Sequence, residues 1–176
     1  MASLGVKLWP GDFNKEEALE SAIAGTSSIF LDPYISQYGE FSRTGILDTA
    51  YRGDTILPLV SPKTIGPFSG APILNPPAFH AKEIYYSDEL LTPEELGRKL
   101  STASGKELKT NYQSDEVVER TRKENPFVGG QVLTREIYKL IDMDQVHKQG
   151  IPLSTFDQFL DEHKAAAVET FSGAAP

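Results

Sequence analysis

Proline sets the firmest limit on what this chain can fold into. Between Asp32 and Pro77 it stands at Pro33, Pro58, Pro62, Pro67, Pro72, Pro76 and Pro77, interleaved with Gly39, Gly45, Gly53, Gly66 and Gly70. Each proline fixes φ and removes a main-chain donor, which disfavours helix interiors and central strands. Residues 36–82 are therefore expected to be loop-rich, with room only for short strands, the best of them at 55–60. Irregular stretches of that length inside a compact domain commonly serve as a lid or a linker.

Upstream, the pattern is α/β. Val6-Lys7-Leu8-Trp9 predicts a strand, Pro10-Gly11-Asp12 a turn, residues 15–24 a helix and Ser28-Ile29-Phe30-Leu31 a second strand, which together make one βαβ unit. Asn14 is placed to cap the helix, Ala18, Leu19, Ala22 and Ile23 recur at helical spacing, and Gly25 stops it. Glu16, Glu17 and Glu20 sit where acidic groups oppose the positive end of a helix. Dinucleotide-binding folds hold the pyrophosphate on an earlier glycine-rich turn. None precedes this unit, so the chain is expected to start after it.

Downstream of the prolines, Glu83-Ile84-Tyr85-Tyr86 predicts a strand. Thr92-Pro93-Glu94-Glu95 then combines a capping threonine, a proline at the first helical position and a glutamate three residues after the cap. Leu96, Leu100 and Ala103 line one face of that helix and Gly105 closes it. An edge strand is expected over 108–112, a charged helix from Ser114 to about Lys123, a helix over 131–141, and a last helix capped at Ser154-Thr155-Phe156-Asp157. Residues 172–176 are expected to form a disordered tail.

A chain of 176 residues is long enough for one domain with a core, and a net charge of -8 argues against sequence-independent binding to nucleic acid or anionic lipid. With no cysteine there is no disulfide and no thiolate chemistry, and no segment approaches membrane-spanning length, so a cytoplasmic protein is expected. His80, His147 and His163 lie far apart without the spacing of a zinc helix, and no G-x-S-x-G elbow is present. No metal site and no serine nucleophile are expected. Glu116, Glu119, Arg120, Arg122, Lys123 and Glu124 are expected to be exposed helix charge.

Asp32, Tyr34 and Tyr38 follow the second strand, where open α/β sheets place ligands. Asp32 and Tyr34 are the catalytic candidates, since a buried carboxylate and phenol there would serve acid/base chemistry. Asp32-Pro33 is equally a turn initiator, and tyrosines also serve as amphipathic packing.

The run Gly5-Val6-Lys7-Leu8-Trp9-Pro10-Gly11-Asp12-Phe13, with Glu17-Ala18-Leu19-Glu20-Ser21-Ala22-Ile23-Ala24-Gly25 and Ile29-Phe30-Leu31, resembles the NmrA-like family of atypical short-chain dehydrogenase/reductase relatives. Later segments resemble the family's second half in order: Tyr51-Arg52-Gly53-Asp54, Val60-Ser61-Pro62-Lys63-Thr64-Ile65-Gly66, Leu91-Thr92-Pro93-Glu94-Glu95-Leu96, Gly105-Lys106 and Gly150-Ile151-Pro152-Leu153 with Phe156 and Phe159-Leu160. The resemblance implies an incomplete Rossmann-like parallel sheet with helices and a mostly helical C-terminal part. One domain would cover 1–171, made of a partial nucleotide-binding unit over 1–35, the loop-rich 36–82 and a substrate or partner part over 83–171.

The resemblance also implies that NAD(P) is the ancestral cofactor and that Asp12 and Phe13 lie beside its adenine; without the family, Asp12 and Asn14 organise the strand-to-helix turn. The chain departs from the family in its missing phosphate loop, in a gap after Ser36 and in a helix after Gly66 that Pro67, Gly70 and Pro72 are expected to break. No Tyr-x-x-x-Lys pair is present. These features imply a regulatory or partner-binding module with impaired or absent dinucleotide binding. The alternatives are a non-redox isomerase, cyclase or lyase, a residual NAD(P)-linked oxidoreductase, and a defective product. A small-molecule ligand, a protein partner or a homodimer through an exposed sheet edge would fit such a chain.

Overall fold

The computed structural model describes residues 36–174, which form a mostly helical α/β unit. In chain order the elements are α1 (Ser36–Thr44), β1 (Ile46–Thr49), β2 (Leu57–Leu59), α2 (Pro62–Leu74), α3 (Pro76–Phe79), β3 (Glu89–Leu91), α4 (Pro93–Ser104), β4 (Lys109–Tyr112), α5 (Asp115–Thr121), α6 (Pro126–Ile137) with a 3-10 turn at Tyr138–Leu140, α7 (Met143–Lys148), α8 (Phe156–Glu162) and α9 (Lys164–Thr170). Two small sheets hold the described strands. β1 pairs with β4 in parallel, from Ile46 opposite Lys109 to Thr49 opposite Tyr112, and β2 pairs antiparallel with β3, Leu57 opposite Leu91. No described helix is long and apolar enough to cross a membrane.

The main core gathers Phe41, Leu47, Leu57, Leu96, Leu100, Leu108, Leu160, Phe171 and Ala174. Leu96 and Leu100 belong to the helix whose start the sequence marks most clearly. Thr92 accepts from the Glu95 amide, the Glu95 carboxylate accepts from the Thr92 amide, and Gly105 ends α4 at φ 71°. Burying each leucine contributes about 2 kcal/mol, so the cap places a strongly stabilising face rather than supplying the stability itself. Phe41 of α1 meets Phe171 edge-on at 5.0 Å, and Ala174, beyond α9, is buried beside them with its carbonyl accepting from Lys106. Gly45 joins α1 to β1 at φ +73°, and a Cβ there would lie 3.0 Å from the Glu107 carbonyl oxygen, so only glycine fits without strain.

Several expectations from the sequence need correction. Residues 36–82 are not mainly loop: α1, β1 and α2 fall within them, and β2 lies inside the anticipated 55–60 strand. α2 runs through Pro67 and Pro72 instead of breaking after Gly66. An interior proline costs a helix about 3 kcal/mol, and here tertiary contacts offset it. Ser61 caps the first turn, Lys63 pairs with Glu162 at 2.6 Å, the Thr64 hydroxyl donates to Asp88 at 2.6 Å, and Phe68 stacks on Tyr86 at 3.9 Å.

The strand expected over 83–86 is displaced to Glu89–Leu91. Its partner runs out: β2 gives way to α2 at Pro62, and continuing the Leu59–Glu89 register would set Tyr86 opposite that helix. The helix expected over 131–141 starts earlier, where Asn125 caps it and Pro126 takes the first position, and α7 behind its Asp142 cap was not foreseen.

Asp88 is the buried hinge of this arrangement. Its carboxylate accepts from the Ser61 amide at 2.7 Å, the Thr64 hydroxyl and the Ser154 amide at 2.8 Å. Asp88→Ala orphans all three donors and is expected to lower the unfolding free energy by about 2–4 kcal/mol in urea denaturation. Asp88→Asn, which keeps acceptor oxygen, should lose less. A change below about 0.5 kcal/mol for the alanine variant, the range of ordinary surface substitutions, would show that the carboxylate does not hold these segments.

Candidate functional site

Where the chain leaves β1, its main-chain polar groups lose the ladder and need other partners. α6 supplies them. Gln131 and Arg135, four apart and so on one helix face, both reach Ala50, which is fully buried. The Gln131 side-chain oxygen accepts from the Ala50 amide at 2.9 Å, and the Arg135 guanidinium donates to the Ala50 carbonyl, its Nε at 2.8 Å. Val118, Val128 and Val132 pack around Ala50 as a second apolar cluster.

The carboxyl end of β4 adds a further polar layer. The Gln113 amide extends the ladder to the Thr49 carbonyl at 2.9 Å, while Asn111 and the Gln113 side chain donate to the Asp48 carboxylate at 2.6 and 2.7 Å. Arg52 donates to both Asp115 oxygens, at 3.0 and 3.1 Å, and Arg135 stands 3.7 Å from the same carboxylate. Tyr112, the last residue of β4, donates its hydroxyl to Glu94. Two buried atoms here have no hydrogen-bond partner: Gln131 Nε2, a donor on a side chain only 3% exposed, and Gln113 Oε1, an acceptor. Buried polar groups of this kind are normally satisfied.

Burial and neighbouring charges shift several of these groups. Burial, reinforced by Glu94, pushes the Tyr112 phenol well above the ordinary tyrosine range. Burial also raises Tyr51, against a lowering contribution from Thr134. Burial and the neighbouring Arg52 charge lower the Arg135 guanidinium, and Arg52 lowers Asp115. An effective general acid or base has a pKa near the working pH, whereas these phenols are shifted away from neutrality.

Of the residues expected to carry function, Asp12, Phe13, Asp32 and Tyr34 lie outside the described residues. The backbone of Tyr38 belongs to α1. His163 stacks on Phe159 at 4.3 Å, and no group of His, Asp or Glu fit to hold a metal occurs among the described residues. Glu116, Glu119, Arg120, Arg122, Lys123 and Glu124 are all exposed, with Arg122 and Glu119 paired at 2.9 Å. Gln131 and Arg135 match no sequence motif. Their four-residue spacing on a helix was visible, but their shared target lies 81 residues and more away in the chain.

The chain matches no protein-family model, no curated protein and no solved structure.

The raised phenols give a pH dependence with a definite sign. As pH rises past about 10, the unfolded chain releases tyrosine protons that Tyr51, Tyr86 and Tyr112 retain in the folded state. Their contribution is therefore complete below pH 10 and is lost as pH climbs toward the folded values. Urea denaturation across this range should show falling stability, and Tyr112→Phe should flatten the fall. An unchanged slope in that variant would refute the assignment to Tyr112.

Proposed function

We propose that this chain is a binding module of the NmrA-like kind rather than a catalyst, and that it recognises a small polar ligand at the carboxyl end of the β1–β4 pair. The observation that carries this reading is the unpaired Gln131 Nε2 and Gln113 Oε1 beside the ends of two parallel strands. Open α/β sheets bind ligands beyond the carboxyl ends of their strands. A neutral group that both accepts and donates, such as a primary amide or a hydroxyl, matches an orphan donor and an orphan acceptor of this kind. The upward shifts of Tyr51 and Tyr112 support binding over acid/base chemistry.

The family assignment and the Rossmann-like ancestry of the sheet belong to the same proposal. Their support is the order of the resembling segments together with a parallel pair whose second strand follows the capped helix α4. On this reading, dinucleotide binding is impaired and the module acts through a ligand or a partner.

A ligand that binds only the folded state raises the melting temperature according to its concentration and affinity. Thermal-shift measurement with a panel of small amides, polyols and aromatic hydroxy compounds is expected to give at least one hit that Gln131→Met abolishes. Calorimetric titration with NADPH and NADH is expected to show no binding in the micromolar range. Micromolar binding of either cofactor would overturn the impaired-cofactor reading, and a panel without hits would overturn the ligand site.

A further inference from the structure

Residues 83–86 carry a strand-forming Glu-Ile-Tyr-Tyr sequence that pairs with no strand among the described residues. The main chain of these four residues makes no hydrogen bond among the described residues, although the chain resumes bonding on either side, at Lys82 to Phe79 and at Asp88 to Leu59. Tyr86 fixes the segment by stacking on Phe68 of α2. Beside it lies a groove of about 470 Å³, lined by Ile84, Tyr85, Leu140, Val146 and Gln149 among others.

Two of those apolar walls face water: Tyr85 is 47% and Leu140 56% exposed. Leu133 and Ile137, also exposed, continue the apolar stripe up α6 from Leu140 at helical spacing. The rim carries Glu83 and Asp142 against Lys82, on a chain of net charge -8.

We propose that residues 83–86 are a strand-addition site for an extended partner peptide that alternates apolar and cationic side chains. Unpaired main-chain amides and carbonyls on a strand-forming segment are satisfied by another extended chain, which supplies the affinity through main-chain bonds and the specificity through alternate side chains. Its apolar side chains would fill the groove over Ile84, Tyr85 and Leu140, and its cations would lie toward Glu83 and Asp142 on the rim. The acidic balance selects the occupant. A second copy brings another -8 to the interface, whereas a cationic peptide gains from the same field.

The test uses the full chain, labelled with nitrogen-15, titrated with a synthetic peptide of alternating lysine and valine, and in parallel with its glutamate–valine counterpart. Saturating shifts of the Glu83 to Tyr86 amides, with slowed hydrogen exchange at those amides, are the expected result for the lysine peptide. Glu83→Lys should weaken it about 3- to 5-fold, the scale of one exposed charge pair. Leu140→Asp, at an exposed position where folding is not at stake, should weaken it about tenfold or more.

Shifts confined to other surfaces, or equal binding of the glutamate peptide, would overturn the proposal. So would concentration-dependent dimerisation by light scattering that protects the same amides without peptide, since the occupant would then be a second copy. The peptide titration reads residues 83–86 whether or not the ligand panel gives a hit, which separates this site from the ligand site at the β1–β4 pair.

Discussion

One buried carboxylate governs the described part of this chain. Asp88 is 8% exposed and accepts three hydrogen bonds from two separate segments, the start of α2 and the loop leading to α8. A desolvated charge is costly unless strong donors surround it, and amide and hydroxyl donors to an ionised acceptor are among the stronger bonds available. Its neighbour Glu89 repeats the device. It accepts from the Phe156 amide at 2.6 Å and stands 3.6 Å from Lys99 of α4, which also pairs with Asp157. Two adjacent acidic residues at the mouth of β3 thus join three helices to the small antiparallel sheet.

The candidate ligand site rests on a second device of the same type. Ala50 has no polar side chain, yet its amide and carbonyl are both held by α6. The helix is thereby locked to the end of β1, and the side chains around it are held by side-chain bonds on both strands. A site built this way is stiff before anything binds, which lowers the entropy lost on binding. The groove beside residues 83–86 is of the opposite kind. Its wall is a main chain that makes no hydrogen bond among the described residues.

Local signals in the sequence were read correctly where they act locally. The α4 capping box, its closing Gly105, and the Ser114 and Thr155 caps all depend on residues within one turn of one another, and all are found. Misreadings arose where distant residues decided the outcome. α2 survives its prolines through Asp88, Glu162 and Tyr86, none of which is adjacent in sequence. Residues 83–86 have the composition of a strand, but continuing the β2 register would set Tyr86 opposite α2 instead of a strand. The Asn125-Pro126 start of α6 was a local signal that went unused. Gln131 and Arg135 carry no motif at all, and only the fold brings them to Ala50.

The parallel pair has a consequence for the order of assembly. Ile46 must find Lys109 across 63 intervening steps of chain, a closure that costs on the order of 4 kcal/mol before any contact repays it. The β2–β3 pairing lies wholly inside that loop, between Leu57 and Leu91. Once Asp88 has fastened β3 to the start of α2, the chain still free to wander between β1 and β4 is roughly halved. Forming the small antiparallel sheet therefore shortens the loop that the parallel pair has to close, and so lowers the entropic cost of that closure.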